Sequence, residues 1–254
     1  MAKSMEERSS AGGKRPDKSR YQLKQREKIE SEVFDRRTLI HISKIMKKGI
    51  VKNLDYPVST GKEANIFAAT APSGSMLAVK IYKITTSPFF RKKDYIIGDP
   101  RFAKIKWNEW EVVYAFARKE FSNLEVCERA GIPAPKPLFL EGNVLVMGFL
   151  GEEGLPYPQL VQTVCEGRFL DSILENVRKL YGAGLVHADL SEYNVMMGND
   201  GTAYFIDLGQ GVVLAHPKAM EYLERDVLNI LNFFKKFGFA RDFAATMKFI
   251  LEKD

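Results

Sequence analysis

Asp189 and Asn194 stand five residues apart in His187-Ala188-Asp189-Leu190-Ser191-Glu192-Tyr193-Asn194, and Asp207-Leu208-Gly209 begins thirteen residues later. A carboxylate, an amide and a second carboxylate in this order suit phosphoryl transfer. One Asp orients or deprotonates a nucleophile, while the Asn and the other Asp hold Mg2+ on nucleotide phosphates. Each piece alone is weak, because H-x-D is common by chance and a lone D-x-G is usually a turn. The segment from Val195 to Ile206 reads as strand, Asn199-Asp200-Gly201 turn, strand, so a short hairpin would bring the two ends together.

Phosphoryl transfer also needs a lysine for the phosphates and an acid to hold that lysine. Leu77-Ala78-Val79-Lys80-Ile81-Tyr82 follows a Pro72-Ser73-Gly74-Ser75 turn and has the apolar, β-branched neighbours of a strand, so Lys80 should project from a sheet. Its expected partner is Glu120. Trp107, Trp110, Val113, Tyr114, Ala117, Phe121 and Leu124 recur at helical spacing and leave Glu120 beside their stripe. Glu111 and Glu109 remain the alternatives. No G-x-G-x-x-G precedes Lys80; Ser59-Thr60-Gly61-Lys62-Glu63-Ala64-Asn65 stands there instead. Small polar residues around one glycine can present N–H groups, hydroxyls and a lysine charge to phosphate oxygens.

The motifs S-T-G-K-E-A-N, H-A-D-L-S-E-Y-N and I-D-L-G-Q together resemble the RIO family of atypical serine/threonine protein kinases, specifically its first type, from about Phe34 onward. The loop, H-x-D and winged-helix features of the second type are not found. The resemblance implies an α+β, two-lobed, protein-kinase-like fold with a small β-rich N-lobe, a mainly helical C-lobe and ATP between them. It implies autophosphorylating or ATPase activity in late assembly of the small ribosomal subunit. Position by position, it makes Asp189 the catalytic base, gives Asn194 and Asp207 the metal, and sets Lys80, directed by Glu120, on the nucleotide phosphates beside Ser59, Thr60, Gly61 and Lys62. Asp207 is also a candidate phosphoryl acceptor. Asn143 to Leu150 would lead into the hinge, with Met147 as gate and Leu150 beside it; Ala78 and Met196 would sandwich the purine. Gly148 stands where the family generally has Glu. The implied cofactors are ATP and Mg2+, with Mn2+ as a substitute.

Other departures from ordinary protein kinases agree. Ala188 replaces the usual Arg, no A-P-E follows, and 47 residues remain after Asp207. A short loop from Gly209 to Pro217 should lead to a helix over Met220 to Lys236, in which Asp226 would anchor the catalytic loop's backbone.

Organisation follows from composition. The chain has 254 residues, 45% of them hydrophobic, enough for two small lobes. Met1 to Asn53 carries 15 basic and 7 acidic residues, so the whole net charge of +6 arises at the front. Residues 1–30 read as a basic, disordered tail and 31–53 as an extra helix, in which Phe34, Leu39, Ile42, Ile45, Met46 and Ile50 approximate an apolar stripe. The stretch 54–150 reads as the N-lobe with a flexible loop at 85–103, and 151–254 as the C-lobe. Thr85, Thr86 and Ser87 in that loop are candidate autophosphorylation sites. The basic front end could meet the RNA of a small-subunit precursor through its phosphates. No apolar run reaches the roughly 18 residues of a membrane span, and neither a membrane nor DNA is expected as partner; a cytoplasmic location is expected. Cys127 and Cys165 read as reduced thiols, and His41, His187 and His216 lack metal-ligand spacing. Two alternatives stay open: a small-molecule phosphotransferase of the aminoglycoside or choline kinase kind, and a nucleotide-gated module that binds RNA or the ribosome.

Overall fold

A computed structural model describes residues 34–84, 93–102, 105 and 107–252. The basic tail and Thr85, Thr86 and Ser87 lie outside the described residues. The N-terminal half is a five-stranded antiparallel sheet of β1 (Asn53–Thr60), β2 (Ala64–Thr70), β3 (Met76–Tyr82), β4 (Pro137–Glu141) and β5 (Val144–Gly148), in the order β1-β2-β3-β5-β4. Period-two alternation gives the sheet two buried faces. Phe67, Ala69, Leu77, Val79, Ile81, Val144 and Val146 form an outer core with Ile45 and Val51. Ala78, Leu145 and Met147 join the larger core that continues into the C-terminal half.

Helix α1 (Arg36–Lys47) covers the outer face and is shorter than the 31–53 expected. Asp35 stops it on the N-terminal side, its Oδ1 accepting from the N–H groups of Arg37 and Thr38 at 2.8 and 3.1 Å. Its buried residues are Thr38 and Ile45, whereas Leu39 and Met46, both counted in the expected apolar stripe, are exposed. Phe34, Ile42 and Ile50 of that stripe pack against the outer core, and hydrogen bonds fix Thr38 and His41 beside them. Asn143 donates to Thr38 Oγ1 and the Tyr82 carbonyl, both at 2.8 Å, and its Oδ1 lies 3.0 Å from His41 Nδ1. Gly142 turns the chain beneath them at φ +57°, and a Cβ there would overlap the His41 ring.

Helix α2 (Glu109–Arg129) connects the two halves and is capped by Asn108, whose Oδ1 accepts from Glu111 N at 3.0 Å. Its buried face is wider than the expected stripe and includes Lys119, Glu120 and Asn123, while Trp107 precedes the helix and is exposed. A helix packed on both a sheet and a second core can bury polar side chains where each finds a partner.

After the β6 (Gly151–Glu152) and β7 (Leu155–Pro156) hairpin come α3 (Gly167–Gly182), β8 (Leu185–Val186), β9 (Val195–Met197), β10 (Ala203–Phe205), β11 (Val212–Val213), α4 (Ala219–Lys235) and α5 (Phe243–Leu251). β9 and β10 pair antiparallel around the expected Asn-Asp-Gly turn. The stretch expected as a loop from Gly209 to Pro217 instead contains β11, which pairs with β8. Within the expected loop at 85–103, Lys93–Tyr95 and Pro100–Phe102 form single 3-10 turns. His216 Nε2 holds this segment, 3.0 Å from the carbonyls of both Asp94 and Ile97.

Candidate active site

Lys80 occupies the fifth position of β3, paired with Leu145 of β5, so its side chain enters the space between the sheet and the C-terminal half. There Nζ lies 2.8 and 2.6 Å from the two carboxylate oxygens of Glu120 and 2.8 Å from Asp207 Oδ1. The sequence left Glu109 and Glu111 as alternatives; Glu109 is exposed and Glu111 faces Arg118. Burial alone would lower the Lys80 pKa, but the carboxylates of Asp207 and Glu120 outweigh it and raise it. The lysine is therefore charged. Burial pushes the Glu120 carboxyl up while Lys80 opposes that shift, and Tyr82 donates its hydroxyl proton to the same carboxylate.

A cleft of about 450 Å3 opens beside this cluster. Ser59, Gly61 and Lys62 form its lip. Ala78, Met147 and Leu150 line it from the sheet and hinge, Met196 and Ile206 from the other side, and Asn194, Asp207 and Lys80 also line it. Thr60 closes β1 opposite Asn65 and is not among the lining residues. The lip is a tight reversal in which Gly61 N donates to Ala64 O at 2.9 Å. A Cβ on Gly61 would sit 3.0 Å from that oxygen, which explains the glycine.

Asp189 lies just outside the lining, on the loop between β8 and β9. Asp226 of α4 is the anchor expected from sequence: its two oxygens accept from Ala188 N at 2.7 Å and Leu190 N at 2.9 Å. Arg225 donates to the Ala188 carbonyl. These bonds hold Ala188 in the left-handed region at φ +63°, a conformation that costs an ordinary L-residue roughly 1–2 kcal/mol. Asp207 is left-handed too, at φ +59°. Such strain is concentrated where surrounding contacts over-determine the backbone. Asn194 Nδ2 donates to the Asp189 carbonyl at 2.8 Å, which leaves its amide oxygen as the atom it can offer to a ligand.

His187 is buried, its Nε2 3.0 Å from the Ile206 carbonyl and its Nδ1 without a hydrogen-bond partner. The ring is thus a neutral Nε2–H tautomer bridging the β8–β9 loop to the residue before Asp207. Burial lowers its pKa from 6.5 to about 4, only partly offset by the Ile206 carbonyl. Between those values the unfolded chain binds the extra proton, so stability falls as pH falls from 6.5 towards 4. At about 1.4 kcal/mol per unit, this one residue costs about 3 kcal/mol by pH 4. Urea unfolding at pH 7 and 4.5 should show a smaller acid loss in His187→Gln than in wild type; equal losses would refute the assignment.

Several site contacts carry no local sequence signal. Lys119 reads as a surface residue, yet it is fully buried and donates to the carbonyls of Gln210, at 3.0 Å, and Gly211. Asn123 donates to the Leu208 and Gly211 carbonyls at 2.8 and 2.9 Å and accepts from Arg101. The Asp207–Gly211 segment is consequently seated on α2 over its whole length. A Cβ at Gly209 would lie 3.2 Å from Glu120 Oε2, and one at Gly211 would lie 2.9 Å from Asn123 Nδ2.

The chain is similar to known proteins over most of its length. A RIO-domain family model matches residues 65–246. The RIO-type serine/threonine-protein kinase Rio1 of Haloferax volcanii is 42% identical over 238 residues, 92% of this chain and 82% of that protein. Its Thermoplasma acidophilum counterpart is 41% identical over 177 residues, 70% and 94% of the two chains. Human serine/threonine-protein kinase RIO1 is 37% identical over 82% of this chain, which spans 38% of the human protein. The fold matches that of the Rio2 kinase–ADP/Mg2+–phosphoaspartate complex from Chaetomium thermophilum with a TM-score of 0.64, at 21% identity, over 84% of this chain and 66% of that one. The two-lobed α+β architecture is therefore kinase-like, and the chain belongs to the RIO family of serine/threonine-protein kinases.

Proposed function

We propose that the chain is an ATP- and Mg2+-dependent kinase and ATPase that phosphorylates itself and acts in late maturation of the small ribosomal subunit, in the cytoplasm. The observation that carries this reading is the meeting of Lys80, Glu120 and Asp207 at 2.6–2.8 Å in the wall of the 450 Å3 cleft. The purine would lie between Ala78 and Met196, against Met147 and the hinge backbone around Leu150. Lys80 would meet the phosphates, aimed by Glu120, while Ser59, Gly61 and Lys62 close over them from the lip.

Asn194 and Asp207 would hold the cation. An amide oxygen and a carboxylate oxygen fit Mg2+, which prefers hard oxygen donors and takes its remaining ligands from phosphate and water. When bound, the cation neutralises phosphate charge and aligns the γ-phosphoryl group for in-line displacement. Asp189 then orients the attacking hydroxyl or water and takes its proton. For serine or threonine, the hydroxyl oxygen bonds to the γ-phosphorus, the bond to the β-bridging oxygen breaks, and ADP leaves. The Rio2 complex named above contains a phosphoaspartate; here the corresponding acceptor would be Asp207, whose carboxylate oxygen attacks directly.

The basic face of α1, with Arg36, Arg37, Lys47 and Lys48 exposed, supports contact with RNA phosphates. Incubation with γ-labelled ATP and Mg2+, followed by acid and then hydroxylamine, tests the chemistry. Label released by hydroxylamine and missing from Asp207→Asn identifies the acyl phosphate, and label that survives identifies a serine or threonine. Absence of both label and ATP turnover would overturn the proposal.

A further inference from the structure

The I-D-L-G-Q motif ends on Gln210, a residue that none of the roles above uses. Its side chain is buried, 6% exposed, and Nε2 donates to Asp189 Oδ2 at 2.5 Å. The same oxygen lies 3.4 Å from Asn194 Nδ2. Gln210's own carbonyl accepts from the buried Lys119 of α2 at 3.0 Å. The residue thus touches the carboxylate of the catalytic loop with its side chain and the inter-lobe helix with its backbone. It does not line the nucleotide cleft.

We infer that Gln210 is a positioning residue for phosphoryl transfer: its amide fixes the rotation of the Asp189 carboxylate and ties that carboxylate to the helix that aims Lys80. The inference rests on the reading of Asp189 as the base. A carboxylate on a flexible side chain has a broad, twofold terminal torsion, so its basic oxygen points at the acceptor only part of the time unless a donor holds it. Asn194 cannot do this alone once its amide oxygen serves the cation, because its remaining contact with Oδ2 is long. Gln210 supplies the short bond. Lys119 and Asn123 fix the backbone from which it reaches, through four bonds to the carbonyls of Leu208, Gln210 and Gly211. Lys80's partner Glu120 adjoins Lys119 on the same helix, so a shift of α2 that misdirects Lys80 would also move Gln210 off Asp189. The phosphate-binding lysine and the base are thereby set together.

The test compares wild type, Gln210→Met, Asp189→Ala and the double variant with Mg-ATP, measuring kcat and KM for γ-phosphate turnover together with the ATP dissociation constant. Methionine keeps length and burial but removes the donor. Loss of a hydrogen bond to a charged group predicts a kcat about 10- to 100-fold lower, with KM for ATP and its dissociation constant within about twofold of wild type. The double variant should be no slower than Asp189→Ala, because two residues acting as one unit are not additive. Gln210→Glu, which sets a second carboxylate against Asp189, should fall further than Gln210→Met.

Unchanged kcat in Gln210→Met, a loss confined to KM, or losses that multiply in the double variant would each overturn the inference. If Gln210→Met fails to bind ATP, Gln210→Asn, which draws the amide back by one methylene, is judged by the same three criteria. Wild-type kcat in Asp189→Ala would instead remove the base assignment itself. An inactive Asp189→Ala beside a fully active Gln210→Met removes only the role given to Gln210.

Discussion

Lys80→Met is expected to lose stability and ATP turnover together, and the two losses should separate in a second variant. Glu120 is 2% exposed, so removing the ammonium leaves a buried carboxylate facing Asp207 with no cation. Breaking one side of a buried pair typically costs about 3–5 kcal/mol. Part of that cost is relieved if Glu120 takes up a proton, which its burial already favours. In the variant the folded-state pKa of Glu120 is therefore raised further above its unfolded value of 4.5. The native state then binds more protons than the unfolded state, so the destabilisation grows as pH rises from 4.5 through the folded pKa. Denaturant unfolding across pH 5–8 should display this slope. Lys80→Met/Glu120→Gln should recover most of the stability at pH 7 while remaining inactive, because the phosphate-facing charge is still missing. A Lys80→Met protein as stable as wild type at pH 7 would mean that the triad is solvated and that the cleft is not organised around it.

Asp189→Ala should produce the largest kinetic effect. General-base catalysis is worth about 10²–10⁴-fold, and Asp189 stands outside the lining of the nucleotide cleft. The expected result is a kcat for autophosphorylation and ATP turnover lower by about that factor, with ATP affinity close to wild type. Stability should fall by about 1–3 kcal/mol, the cost of leaving the buried Gln210 amide without its acceptor, and no further, because Asp226, not Asp189, satisfies the loop's backbone N–H groups at Ala188 and Leu190. Calorimetric titration with ATP beside steady-state kinetics checks both halves. If activity survives while Asp207→Asn is dead, transfer proceeds to the Asp207 carboxylate without a base, which has no proton to remove. If ribosome-precursor release is also unchanged when turnover is lost, the nucleotide serves only as a binding switch.

The sequence alone identified the chemistry because phosphoryl transfer demands particular side chains at short fixed spacings. Those spacings are local: a hairpin between Asn194 and Asp207, a lysine in a β-branched strand, and a carboxylate at 226 on the helix behind the loop. Hairpins, turns and strands of this kind are legible because alternation and Asn-Asp-Gly chemistry act between near neighbours. The pairing of Lys80 with Glu120 was legible for a different reason, since a charged residue beside an apolar helical stripe needs a partner.

Beyond the Lys80–Glu120 pair and the Asp226 anchor, the sequence left undecided what is set by the meeting of distant surfaces. Apolar periodicity placed Ile42 and Ile45 on the packed side of α1 but over-counted Leu39 and Met46, which are exposed, and gave no sign of the hydrogen bonds between Asn143 and Thr38 and His41. It also counted Trp107 as part of α2's buried face and gave no sign of Lys119 or Asn123. A buried lysine is expensive unless carbonyls receive it, and those carbonyls belong to residues 91 and 92 positions away. The contact of Gln210 with Asp189 and the left-handed turns at Ala188 and Asp207 likewise depend on α2 and α4 being in place. Local residue types therefore determined which chemistry this chain can perform. Tertiary packing decided how it is aimed, because burial and long-range hydrogen bonding fix polar side chains for which a single stretch of sequence has no partner.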